Sequence, residues 1–364
     1  MASIKLENLP IEVLLNITSY LHASSLLSYA LSNKILYTAA AAALTKNVTL
    51  ATRYKAIVIN CNHAASVSAE FPSHFRSPIT ILHDIQEDPD IAFHIKSLHF
   101  MNSEYGAELD PEIVAQFSSC DLDGILARCP WFDADDRLMW REDIQEFNHG
   151  TALALLLALL PNLENLALAG LLHTYSYWLD LIVRDITRYY KKSKPATGDT
   201  STTAAAGITR SRESVQPLGR IRNVHVEHLE ETGGESLHSI LPLTMLPAVR
   251  RLTCYMVNGY DMFIAPVHTR GAKANAGASS TLQFVEFDTS SISPDSLWRF
   301  CANLKNIRQL TYTHGGPAVG GPLGVDMKEY MKDFMGNARA WSEEHGIKIS
   351  LADNGELDLL RTED

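Results

Sequence analysis

Apolar positions follow two different rules along the chain. Over the first 45 residues they recur at helical spacing. Leu9, Val13, Leu14, Ile17 and Leu21 fall on one stripe, and Pro10 occupies a first-turn position that tolerates a missing N–H, which predicts a helix from about Pro10 to Leu21. After the polar break "HASS", where Ser24 or Ser25 can cap, Leu26, Leu27, Ala30 and Leu31 predict a short second helix. The alanine-rich "NKILYTAAAAALTK" predicts a third. Glu7, Pro10, Glu12 and Asn16 interrupt the apolar residues, so the segment does not read as a secretory signal. About 35 residues in three short helices cannot bury a core of useful size. Their apolar surface must be completed by the rest of the chain or by a partner.

Further along, the rule changes to apolar-x-x-apolar-x-apolar. It occurs as Ile95/Leu98/Phe100, Leu163/Leu166/Leu168, Ile221/Val224/Val226, Val249/Leu252/Cys254, Leu282/Val285/Phe287 and Ile307/Leu310/Tyr312. The last two positions alternate as in a strand, and Ile347/Ile349/Leu351 gives a final strand with the same alternation. Helical stretches precede several of these strands: "ITILHDIQEDPDIAFHI", "TALALLLALLPNL", "SLHSILPLTMLPAV" and "SPDSLWRFCANLKNI". Helix then strand, repeated, is the unit of a solenoid in which each repeat buries its apolar edge against its neighbours. From Val224 the intervals to Leu252, Val285 and Leu310 are 28, 33 and 25 residues; the earlier intervals, 68 and 58, predict degenerate units or insertions. The fold class is therefore α/β, with 1–45 a helical module and 46–364 an irregular repeat arc. Residues 191–217, small and polar, predict a disordered insertion, and Pro266 to Ser280 and "GGPAVGGPLG" at Gly315 to Gly324 predict loops.

The order Leu9-Pro10-x-Glu12, then Val13, Leu14, Ile17, Leu21, a polar gap, Leu26, Leu27 and Lys34 resembles the F-box motif. Ser25 stands where members often carry an acidic residue, and Leu36 where many carry Trp. With the repeats and phrases such as "LLPNLENLALA", the chain is similar to the fungal-type F-box and leucine-rich-repeat proteins. The usual Asn or Cys after each strand is replaced here, by Ser103 and Leu171 for example, so the repeats are divergent. The resemblance implies a three-helix F-box, an adaptor of the Skp family as partner and, through it, a cullin. Leu9, Pro10, Glu12, Val13, Leu14, Ile17, Leu21, Leu26 and Leu27 are then the adaptor-binding residues, in contact with the adaptor or as core of the module. It implies a non-enzymatic substrate receptor of a ubiquitin ligase, with a protein target held by the arc.

Composition narrows the alternatives. A net charge of -11 argues against a nucleic-acid groove, since only Lys191, Lys192 and Lys194 cluster. The longest apolar run, Ala152 to Leu160, is half a membrane span. Five cysteines without a CxxC pair suggest neither a disulfide framework nor a structural zinc site, which fits an intracellular, cytoplasmic or nuclear, protein. No cofactor or metal is expected.

Three motifs invite chemistry. "HGGPAVGG" at His314 could host an anion and is the basis of an alternative hydrolase reading, but neither a GxSxG elbow nor a GxxxxGK[ST] loop accompanies it. "HVEH" at His225 lacks the PCxxC of zinc deaminases, and alternation puts His225 and Glu227 on the open strand face. "WFDADDR" at Trp131 reads as a solvated acidic turn. A further alternative is an F-box scaffold acting outside ubiquitination. The strand positions that alternate with the core line up on one face; from these, His225, Glu227, Arg251, Phe284, Glu286 and Gln309 are the expected target-binding residues, because arginine and aromatic side chains recur at binding hot spots.

Overall fold

A computed structural model describes residues 5–21, 23–61, 73–102, 111–170, 173–193, 217–228, 235–258, 281–302, 304, 306–315, 336, 338–340, 342–344 and 346–353. Three helices open the chain: α1 (Ile11–Tyr20), α2 (Ala23–Ser32) and α3 (Lys34–Tyr54). Asn33 caps α3 by accepting from the Ile35 N–H at 2.8 Å, and its amide donates to Glu7, tying the first turn of the chain to that helix. The alanines of α3 let the other helices approach closely. Leu14 packs with Leu36 and Ala39, and Leu26 and Ala30 pack with Ala40, giving two small clusters separate from the main core.

The third helix runs beyond its predicted end near Lys46 to Tyr54, so the boundary expected between 45 and 46 falls inside it. Its last two turns belong to the arc. Leu50 and Tyr54 pack into the main core, and the Tyr54 hydroxyl donates to Asp84 at 2.7 Å. Lys46 lies 2.9 Å from Asp88 and 3.1 Å from Asp90.

The described residues of the remaining chain build one sheet of nine parallel strands. These are β1 (Ala56–Asn60), β2 (Ser73–Phe75), β3 (Ser97–Asn102), β4 (Asn165–Gly170), β5 (Asn223–Glu227), β7 (Arg251–Tyr255), β9 (Phe284–Ser290), β10 (Gln309–His314) and β11 (Lys348–Asp353). Two short strands, β6 (Glu235–Ser236) and β8 (Val257–Asn258), pair separately. Apart from β2, which flanks β1 on the outside, strands lie in chain order across the sheet. The spaced apolar pairs share a single register: Leu98, Leu166, Val224, Leu252, Val285, Leu310 and Ile349 face one another from strand to strand. Phe100, Leu168, Val226, Cys254, Phe287, Tyr312 and Leu351 form the next row.

Parallel neighbours need crossovers, and right-handed crossovers that always advance the same way fall on one side of the sheet. Helices α4 (Pro78–Glu87), α5 (Ile91–His94), α6 (Pro111–Ser119), α7 (Leu122–Ala127), α8 (Ala134–Gln145), α9 (His149–Leu159), α10 (His173–Ser193), α11 (Leu237–Thr244) and α12 (Pro294–Ala302) supply them. Their apolar side chains and the two inner strand rows form a single core. Helix α9 is buried almost all round, from Gly150 to Ala158, because it lies under both the sheet and its neighbouring helices. On the other side the alternating strand positions are exposed or half-buried, as at Asn223, His225 and Glu227 of β5 and Arg251, Thr253 and Tyr255 of β7.

The two long intervals prove to be insertions. Strand β3 pairs directly with β4, and β4 with β5, so no degenerate repeat unit stands between them. Helices α6 to α9 occupy the first interval and α10 lies in the second. Of the insertion expected at 191–217, residues 191–193 complete α10 and Pro217 begins a turn with a buried side chain; 194–216 lie outside the described residues. The loops expected at Pro266 to Ser280 and after Gly315 also lie outside them.

Candidate functional site

Two surfaces collect the residues singled out in the sequence. On the helical module the nine expected contacts divide by helix geometry. Leu14 and Leu26, 0 % and 1 % exposed, are internal and belong to the core of the module. Leu9 and Ile17 lean on the Leu14 cluster, and Leu21 on the Leu26 cluster. Pro10, Glu12, Val13 and Leu27 are exposed. Val13 and Leu14 part company because consecutive helical residues point about 100° apart.

Other exposed apolar side chains on the same module were not singled out. Ile11 and Leu15 stand four residues apart on one edge of α1, and Leu31 stands four residues from the expected contact Leu27 on α2; Tyr20, Ile35 and Tyr37 join them. Ten of the twelve large apolar side chains exposed among the described residues lie between Leu6 and Val48. The signal in the sequence was an excess: each helix carries more apolar residues than one buried stripe requires.

The open sheet face carries the second set in rows. Register places Ser97, Asn165, Asn223, Arg251, Phe284 and Gln309 side by side on successive strands. Asn223 Nδ2 donates to Asn165 Oδ1 at 2.7 Å, and Asn165 Nδ2 to Ser97 Oγ at 3.0 Å. Where this amide ladder ends, the Arg251 guanidinium covers the Phe284 ring at 5.7 Å, so Phe284 is half-buried rather than openly displayed. The next row holds His99, Ala167, His225, Thr253, Glu286 and Thr311. His225 Nε2 lies 3.8 Å from Glu227 Oε2, and Glu286 is exposed. Burial pushes the His99 imidazole below its ordinary pKa, with Glu227 opposing the shift and His225 adding to it.

The chemical motifs take structural roles. His314 is 1 % exposed, with Nδ1 3.1 Å from the Tyr312 hydroxyl. That hydroxyl donates to the Ser290 carbonyl at 2.8 Å and accepts from the Ile292 N–H at 3.1 Å. Asp133, in the stretch read as an acidic turn, caps α8: it accepts from the Asp136 N–H at 2.9 Å, while the Asp136 carboxylate accepts from the Asp133 N–H. Burial raises the thiols of Cys61, Cys120, Cys129, Cys254 and Cys301, Cys120 to about 11 and Cys129 and Cys301 to about 12, which disfavours the nucleophilic thiolate. Among the described residues no group of three or more His, Cys, Asp or Glu side chains is placed to hold a metal, and no helix is long and apolar enough to cross a membrane. No protein-family model matches this sequence, and no curated protein matches it either.

Proposed function

We propose that the chain is the substrate-recognition subunit of a Skp-cullin-F-box ubiquitin ligase, its first three helices docking a Skp-family adaptor and its arc binding a protein target. The observation that carries this reading is the concentration of exposed apolar side chains on a module whose own clusters are already filled. Leu14, Leu36 and Ala39 close one cluster, yet Ile11, Val13, Leu15, Leu27 and Leu31 stay at the surface. Apolar surface of this kind on one small unit marks a protein contact. The Leu-Pro-x-Glu order on the same helices gives that contact its identity.

The open sheet face supports the second half. All-parallel sheets are ordinarily covered on both faces, and among the described residues the helices of this one pack on a single face. A hydrolase reading through His314 would require substrate to reach a side chain that is 1 % exposed.

Co-purification of the full chain with a Skp-family adaptor, alone and with a cullin, tests the reading. Val13→Lys with Leu27→Lys should abolish the complex while leaving the melting temperature unchanged. Adaptor capture by this variant at wild-type levels would overturn it. Adaptor capture without cullin would favour the scaffold instead.

A further inference from the structure

The residues that enter the strands form a row of their own. Backbone hydrogen bonds run from the Lys96 N–H to the Lys55 carbonyl at 3.0 Å, from Glu164 to Lys96 and from Arg222 to Glu164 at 2.8 Å, and from Arg250 to Arg222 at 2.8 Å. They continue from Gln283 to Arg250 at 2.9 Å and from Arg308 to Gln283 at 2.8 Å. Seven consecutive strands thus present Lys55, Lys96, Arg222, Arg250 and Arg308 along one border of the sheet, with Glu164 the lone acid and Gln283 the lone neutral residue. All five cations are exposed. Glu164 lies 3.7 Å from Lys96, leaving the Arg222, Arg250 and Arg308 half of the border basic. Arg251 and Lys348, also exposed, stand one residue further in on β7 and β11.

Complementing helix ends accounts for Lys55, the C-cap of α3, and for Lys96, two residues past α5, but not for the three arginines. A helix C-terminus favours a cation only within about its last turn. Arg250 and Arg308 lie six residues beyond the ends of α11 and α12. The chain as a whole carries -11, so a border with five cations and one acid runs against its average composition. None of the described strands ends on Lys or Arg at the opposite border, where β5 ends at Glu227 and β11 at Asp353.

We propose that this basic border binds an acidic segment of a partner protein, lying extended across the strand entries. Strands about 4.8 Å apart put Lys55 and Arg308 about 29 Å from one another along the row, the reach of about nine extended residues. Arginine forks suit carboxylates bidentately. A short acidic peptide meets the local row, whereas a long polyanion also meets the field of the net negative chain. The proposal shares with the proposed function only the premise that the arc binds protein; it does not depend on the helical module.

The test is fluorescence anisotropy of a labelled ten-residue oligoglutamate with the purified full chain. Wild type should bind, and raising ionic strength tenfold should weaken binding. The triple variant Arg222→Glu, Arg250→Glu, Arg308→Glu should lose affinity by at least about tenfold, and the corresponding glutamine triple by less. Lys34→Glu, Arg128→Glu, Arg339→Glu, which makes the same change in net charge at exposed positions elsewhere, should stay within about twofold. Melting curves establish that each variant is folded, and the glutamine triple decides the matter where the reversal unfolds the chain. No binding by wild type, equal losses in the two reversal triples, or tighter binding of a ten-residue oligothymidylate would each overturn the proposal. Adaptor co-purification is read separately, so failure here leaves the docking result intact, and the reverse.

Discussion

Arg251 lies over the ring of Phe284, its partner across β7 and β9, with the guanidinium carbon 5.7 Å from the ring centroid. The contact closes a row that begins as an amide ladder, so the pair is both part of the sheet surface and a candidate anchor for the target. Arg251→Ala and Phe284→Ala should show a coupling of about 0.5–1 kcal/mol in a double-mutant cycle by urea denaturation, the range for an exposed cation–π pair. Both variants should weaken target capture and leave adaptor binding unchanged. Full capture by the double variant would remove this pair from the binding face.

Leu14 and Val13 are neighbours in sequence and opposites in the structure. Leu14→Lys places a charge in a filled cluster, and melting of the helical module should drop by several kcal/mol-equivalents of stability, on the order of 3. Val13→Lys should stay within about 0.5 kcal/mol and still cost adaptor binding. Circular dichroism melts paired with co-purification distinguish the two. Equal destabilisation by both would mean that Val13 is packed.

His149 begins α9 with its Nδ1 3.2 Å from the Ser77 hydroxyl, which caps α4. Burial lowers its pKa to about 4, so the folded chain holds it neutral while the unfolded chain protonates it near pH 6.5. Stability from this group is therefore fully present above pH 6.5 and is lost as pH falls through 4, by up to about 3 kcal/mol. His149→Gln should flatten that part of the stability profile. An unchanged profile between pH 6.5 and 4 would show that the ring is not held neutral.

Tyr54 ties the end of α3 to the arc through its 2.7 Å bond to Asp84. Tyr54→Phe should cost about 1.5–3 kcal/mol, as expected for a hydrogen bond to a charged group. Hydrogen exchange should quicken in the last two turns of α3 before it does in the strands. Lys46→Ala, which removes partly exposed ion pairs with Asp88 and Asp90, should cost under about 1 kcal/mol.

Strands with one buried face were legible because their alternation survives in the sequence, as in Leu98/Phe100 and Val285/Phe287. Strand β1, "AIVIN", was not: Val58 is buried on the open side as Ile57 and Ile59 are on the other, and alternation vanishes. Helix α10 escaped because its period lies in an interval that the strand spacing suggested should hold repeats. The divided fate of the docking residues had a different cause. A family pattern marks positions, but which of Val13 and Leu14 faces outward depends on where α3 passes. The basic border was invisible for a simpler reason, since one Lys or Arg before a strand, tens of residues from the next, is ordinary until the sheet stacks five of them.

Helix α3 belongs to the helical module at its start and to the arc at its end, with no hinge between Lys34 and Tyr54. Twenty-one residues at about 1.5 Å each make a ruler of about 30 Å, and each residue also turns the far end by about 100°. Phase therefore matters as much as length. One residue added near Thr45 would swing the arc by more than a quarter turn, while seven would return it nearly to its bearing about 10 Å further out. Under the proposed function, a target on the arc is thus aimed as well as held.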